Sequence, residues 1–232
     1  MYRENHNIKD CRAWVFDYGG TLDTGGCHWG RLLWWAWQQA GIMVDERTFR
    51  EAYVYAERFL AAHDVVHPND TFRQTLSKKL RLELQQVDAV DKLQQVLDIA
   101  YTKVVGHTRH SRDVLQQLAV HKPLALVTNF YGNIHTVLHE FGMDHLFAPI
   151  IESAVVGVRK PDPRIFLLAV EALGCSPEDV VIVGDSYAKD IVPAHLAGCR
   201  TVWLCGEQWD TEPVSPTDAD IVISDLNELL LL

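Results

Sequence analysis

Short apolar runs rich in β-branched residues recur at Ala13–Phe16, 124–127, 180–183, 201–205 and Ile221–Ile223, and helix-length segments separate most of those in the second half of the chain. Such alternation predicts a parallel α/β sheet with helices packed on it. Residues 131–141 carry apolar positions at 131, 134, 138 and 141, the spacing of one helix face. A further helix is expected over 163–173, where Asp162 can cap and Pro163 suits the first turn, and Ser176-Pro177 opens a short one. Between the first run and the second, the spacing is helical throughout: Phe49, Tyr53, Ala56 and Leu60, then Phe72, Leu76 and Leu80, then Val90, Leu93, Leu97, Ala100 and Val104. This stretch reads as an inserted helical domain. It would be entered through Gly25-Gly26 and left near Gly106, where permissive backbone would absorb the angle changes of a hinge. Residues 212–218, with two prolines, read as an exposed loop.

Composition narrows the function classes. The 232 residues, 48% hydrophobic and 22% charged, suit one domain with a large insertion or two small domains with a real core. Lys and Arg total 21 against 31 Asp and Glu, and the net charge of −10 disfavours broad attraction to nucleic acid or to an anionic membrane. Any anion site must therefore be local. Cys11, Cys27, Cys175, Cys199 and Cys205 are an odd number with no Cys-x-x-Cys pair, which points to free thiols in a reducing compartment. The first dozen residues lack an apolar signal core, and the longest apolar runs, such as 32–37, fall far short of the roughly 18 residues that span a bilayer. A cytoplasmic, unanchored protein is expected.

In a parallel sheet, ligands sit beyond the carboxyl ends of the strands, so the residues standing there carry the chemistry. The first strand ends in Asp17, followed by Tyr18-Gly19-Gly20-Thr21-Leu22, and the second in Thr128-Asn129. The 180–183 strand runs into Gly184-Asp185-Ser186, with Asp190 five residues after Asp185, and Gly157-Val158-Arg159-Lys160-Pro161 lies between. Taken together these segments resemble the haloacid dehalogenase superfamily. Its four motifs are an Asp-x-Asp-Gly-Thr-Leu loop, a Ser or Thr after strand two, a Lys before Pro, and a Gly-Asp-x-x-x-x-Asp acidic loop. Three match fully, and the helical insertion after the first fits as the family's cap. The resemblance implies a Rossmann-like α/β core over residues 1–24 and 107–232, with a helical cap over 25–106.

The resemblance also implies roles. Asp17 would attack phosphorus as nucleophile. Asp17, Asp185 and the backbone carbonyl of residue 19 would hold Mg²⁺, a hard cation suited to oxygen ligands. Thr128, Asn129, Gly20 and Lys160 would hold the phosphoryl oxygens and offset their charge in the transition state. Asp190 and Ser186 would stand behind them, Asp190 orienting Lys160 or a metal-bound water. The implied activity is Mg²⁺-dependent hydrolysis of a small phosphorylated metabolite through an aspartyl phosphate. Oligomeric state is not legible.

One position departs from the pattern. The family's phosphatases carry an aspartate two residues after the nucleophile, which protonates the leaving oxygen and then activates water; here that residue is Gly19. Acid–base catalysis is typically worth about 10²–10⁴-fold. Three alternatives therefore stay open: slow turnover, a cap residue or water in place of the carboxylate, or a module that binds phospho-ligands without efficient turnover. A metal-independent 2-haloacid dehalogenase is a further reading, against which Asp185 speaks. Phosphonate-cleaving relatives use an early cap lysine, and none occurs between Lys9 and Lys78. Trp29, Trp34, Trp35 and Trp37 are expected mainly in the cap core, with one lining a pocket. The pairs His135 and His139, and His63 and His67, stand at helical metal-ligand spacing without a convincing third ligand.

Overall fold

The computed structural model describes residues 8–209 and 217–232. Six strands, β1 (Ala13–Phe16), β2 (Leu124–Thr128), β3 (Ile150–Glu152), β4 (Val180–Gly184), β5 (Arg200–Leu204) and β6 (Ile221–Ile223), form one sheet in the order β3-β2-β1-β4-β5-β6, every pair parallel. This is the doubly wound order, whose reversal beside β1 opens a crevice at the strand carboxyl ends. Strands β1, β2, β4 and β5 are buried on both faces, which is why they read as unbroken apolar runs rather than alternating ones. Alternate residues still divide between two cores: Trp14, Phe16, Val181 and Val183 face one, and Ala13, Val15, Val180 and Ile182 the other.

Eight α-helices complete the described residues: α1 (Trp29–Gln39), α2 (Glu46–Ala62), α3 (Phe72–Gln85), α4 (Leu93–Ala119), α5 (Ile134–Glu140), α6 (Ser153–Val156), α7 (Arg164–Leu173) and α8 (Val192–Leu196). The helical insertion is thus α1 to α3 and the first half of α4. Capping chemistry sets its starts. Asp45 accepts from the N–H of Thr48 ahead of α2, and Thr71 and Gln74 form a reciprocal capping box ahead of α3. Asp162 accepts from the N–H of Arg164 as expected for α7.

Several expectations are corrected. The chain does not leave the insertion through a flexible segment at Gly106, because α4 runs unbroken for 27 residues and carries Gly106 in its middle. Strand β3 is an added element. The helix expected over 131–141 starts only at Ile134, since Gly132 takes a φ of 93° and the preceding residues turn toward the site. The buried Glu152 of β3 holds that start, accepting from the N–H groups of Gly132 at 2.6 Å and Ile134 at 3.3 Å. At the entry to the insertion, Gly25 and Gly26 do adopt left-handed backbone, with φ of 64° and 87°. The loop expected over 212–218 lies mostly outside the described residues. All five cysteines are free thiols. No helix among the described residues is long and apolar enough to cross a membrane.

Candidate active site

The register of the sheet brings the strand ends to one place. Phe16 pairs with Val183, so Asp17 and Asp185 emerge side by side from adjacent strands, and the N–H of Asp17 donates to the carbonyl of Val183 at 2.9 Å. Thr21, four residues after Asp17, links them. Its hydroxyl lies 3.2 Å from Asp17 Oδ2 and 3.2 Å from Asp185 Oδ1, and accepts from the N–H of Asp185 at 2.9 Å. Between Asp17 and Asp190 stands the Lys160 ammonium, donating to Asp17 Oδ1 at 2.5 Å and to Asp190 Oδ1 at 2.6 Å. Asn129 fixes the loop that brings Lys160 in, because its side chain donates to the Lys160 carbonyl and accepts from the Lys160 N–H, both at 2.9 Å. Asp190 is held in turn by the N–H of Ser186 at 3.0 Å. A π-turn over Tyr187–Ile191 closes this acidic loop.

Asp17, Thr21, Lys160, Asp185 and Asp190 are buried while Asn129 and Ser186 are partly exposed, and the buried charges do not balance. Burial, with Asp190 adding repulsion, pushes the Asp17 carboxyl up to about 6 against the pull of Lys160. Burial and then the neighbouring Asp190 and Asp17 hold Asp185 well above the ordinary carboxylate range. Asp17, Asp185 and Asp190 each offer an oxygen within 4.8 Å of the others, the one such group of three ligand-type side chains among the described residues, and no histidine belongs to it. Crowded carboxylates with a single ammonium among them are the electrostatic setting that a hard divalent cation relieves. The donor set fits Mg²⁺.

These residues form the floor of a cavity of about 710 Å³, which Thr128, Asn129, Gly19 and Gly20 also line. Its walls come from the insertion: Trp29 of α1, Tyr53 and Glu57 of α2, and Lys79 of α3.

A family model for haloacid dehalogenase-like hydrolases matches residues 11–198. The chain belongs to this family. Among curated relatives, the phosphoserine phosphatase of Thermus thermophilus is 39% identical over 110 residues, 47% of this chain and 43% of that protein. The chain thus spans less than half the length of that relative. The phosphoglycolate phosphatase of Shigella boydii is 29% identical over 97% of this chain and 93% of its own. A solved dehalogenase with an intermediate complex superposes with a TM-score of 0.65 at 18% identity, covering 96% of each chain, a likeness of fold.

Within this haloacid dehalogenase-like site, several residues were not singled out by sequence. Thr21 is one. Asp23 is another, buried beside Gly20 and Trp29. On α3, Lys79 and Glu83 occupy the same face as Phe72, Leu76 and Leu80, and charged residues on an apolar face were the legible signal for them. Lys79 pairs with Glu57, and its ammonium lies 4.1 Å from the centroid of the Tyr53 ring. Burial works against its charge, yet Glu57 keeps it firmly protonated, so it is no neutral amine for imine chemistry. Of the tryptophans, Trp37 is wholly buried against Phe49 of α2, Trp35 is partly exposed under Lys103, and Trp29 faces the cavity.

Proposed function

We propose that this protein is a Mg²⁺-dependent phosphatase of small phosphorylated metabolites that works through an aspartyl phosphate on Asp17. The observation that carries the reading is the buried cluster of Asp17, Asp185, Asp190 and Lys160 on the floor of a cavity roofed by the helical insertion. Relatives named as phosphatases support it. Asp17, Asp185 and the carbonyl of Gly19 would hold the cation, which when bound screens the repulsion between a carboxylate nucleophile and a phosphate dianion. Lys160, held between Asp17 and Asp190, offsets charge on the phosphoryl oxygens, and Thr128 donates a hydroxyl hydrogen bond to them. Asn129 positions Lys160 rather than spending its own amide on the substrate. Trp29, Tyr53 and Phe72 exclude water from the upper cavity, where a substrate's organic part is held.

The test is release of 4-nitrophenol from 4-nitrophenyl phosphate. Turnover should require Mg²⁺, stop in excess chelator, and disappear in Asp17→Asn. Equal rates with chelator would sink the reading. Gly19 favours a second one, a phospho-ligand binding module with little turnover, which predicts tight binding of phosphate with Mg²⁺ and no release of product beyond one equivalent. Halide release from a 2-haloacid without metal would establish the dehalogenase alternative instead.

A further inference from the structure

Asp23 is a fully buried carboxylic acid with no salt-bridge partner among the described residues, on the wall of the same cavity as the nucleophile Asp17. Its Oδ1 accepts from the Gly20 N–H at 2.7 Å and its Oδ2 from the Trp29 indole N–H at 3.0 Å. That indole nitrogen is also the nearest atom, at 4.0 Å, to the point where a Cβ on Gly19 would stand. One N–H therefore touches both the carboxyl of Asp23 and the space that an aspartate side chain at position 19 would fill.

We propose that Asp23 is the acid–base residue of this active site, acting on the leaving oxygen and then on the attacking water across the space left open at Gly19, directly or through one water. The inference rests on the phosphatase reading above. In the first step the Asp17 carboxylate attacks phosphorus, the ester P–O bond breaks, and the Asp23 carboxyl gives its proton to the departing alkoxide. In the second step water attacks the same phosphorus, the Asp23 carboxylate takes the water proton, and the bond to Asp17 breaks to release phosphate. Asp23 ends protonated and Asp17 ionised, as both began.

Its protonation state suits the first step. Burial pushes the Asp23 carboxyl up to about 8, the Gly20 N–H pulling the other way and the Asp17 charge adding to the rise, so at neutral pH it holds the proton an acid must give. Of the other carboxyls on the cavity wall, Asp17 is the nucleophile, Asp185 stands at the cation site, Asp190 holds Lys160, Glu57 is bound to Lys79 and kept ionised by it, and Asp64 is exposed to solvent. A structural account also exists for Asp23, since its two hydrogen bonds tie the first motif to α1, and the test must separate the two.

The probes are phenyl phosphate, a poor leaving group, and 4-nitrophenyl phosphate, a good one. Asp23→Asn should lower phenyl phosphate turnover by about 10²–10⁴-fold while leaving a near-stoichiometric burst of 4-nitrophenol followed by a slow steady state. Gly19→Asp introduced into that variant should restore turnover of both, and by far more than the same substitution raises the wild type, whereas a purely structural role for Asp23 predicts the same gain in either background. Gly19→Asp alone covers the case of a misfolded Asp23 variant: a rise of about 10²–10⁴-fold in its phenyl phosphate turnover would mean that the wild type lacks an acid–base residue and would overturn the proposal. A folded Asp23→Asn enzyme that keeps wild-type turnover of phenyl phosphate would also overturn it. If the wild type releases no 4-nitrophenol with Mg²⁺, the phosphatase reading itself fails and the role of Asp23 falls with it.

Discussion

Replacing Lys160 by methionine, which keeps the length of the stem and removes the charge, should destabilise the protein strongly at neutral pH. Lys160 is 5% exposed and is the single cation among Asp17, Asp185 and Asp190, each at or below 5%. Its ammonium donates to two of them, at 2.5 and 2.6 Å. Removing one partner of a buried ion pair costs about 3–5 kcal/mol because the other charge is left uncompensated. At roughly 2–4 °C per kcal/mol for a chain of this size, the melting temperature should fall by about 6–20 °C. The pH dependence has a definite sign. Burial pushes Asp17 up to about 6 in the folded protein, above the ordinary aspartate value of 3.8, so the folded state binds more protons than the unfolded one between those values and loses stability as pH rises through that window. Without Lys160 the folded value moves higher still, so the penalty grows toward pH 7.5 and shrinks near pH 4.5. Melting curves in chelator at pH 4.5, 6 and 7.5 measure it. A variant that melts at or above wild type at pH 7.5, or whose deficit is equal at all three values, would refute the claim that this ammonium balances the buried carboxylates.

Two further perturbations bear on the insertion. Gly106→Ala should stabilise by about 0.5–1 kcal/mol, raising the melting temperature by about 1–4 °C, because Gly106 lies inside α4 and a Cβ there meets nothing within 4 Å; a loss of stability would mean that the backbone there is not helical. Glu83 is wholly buried with no hydrogen bond to either oxygen, Lys79 standing 4.0 Å away, and burial pushes its carboxyl from 4.5 up to about 8. The unfolded chain ionises this group first, so stability drains as pH rises from 4.5 to 8, and Glu83→Gln should match wild type near pH 4.5 and gain by up to roughly 5 kcal/mol at pH 8 and above. Parallel stability curves for the two proteins across that range would contradict it.

The strands were legible because a strand buried on both faces must be apolar at every position, and four of the six are. Strand β3 escaped for the opposite reason. It has three residues, begins directly after Pro149, and ends in Glu152, whose carboxylate is buried only because it caps α5. The course of α4 was lost at a similar place. Its buried face continues past Val104 through Thr108 and Ser111, and polar residues there interrupt the apolar period beside a glycine. Their hydroxyls are satisfied locally, Thr108 donating to the Val104 carbonyl at 2.9 Å and Ser111 to the Leu22 carbonyl at 2.7 Å. A helix that passes from the insertion into the core thus looked like two elements with a break at Gly106.

The two glycines of the first motif are the same letter under opposite constraints. Gly20 has a φ of 98°, and a Cβ on it would lie 2.4 Å from the Asp185 carboxylate, so neither backbone nor packing admits another residue. At Gly19 the φ lies outside the left-handed region and a Cβ would meet only the Trp29 nitrogen at 4.0 Å, an ordinary contact. Neither backbone nor close contact therefore forbids a Cβ at position 19, in contrast to position 20. A sequence pattern can register the missing carboxylate, but it cannot locate a replacement, because what distinguishes Asp23 from any turn aspartate is burial under Trp29 and the proton that burial retains. Those properties arise from residues 29 and 20 converging on it in three dimensions. The open space at Gly19 and the neutral acid beside it are thus one arrangement, and filling that space with a second carboxylate is the perturbation to which its chemistry should be most sensitive once Asp23 is removed.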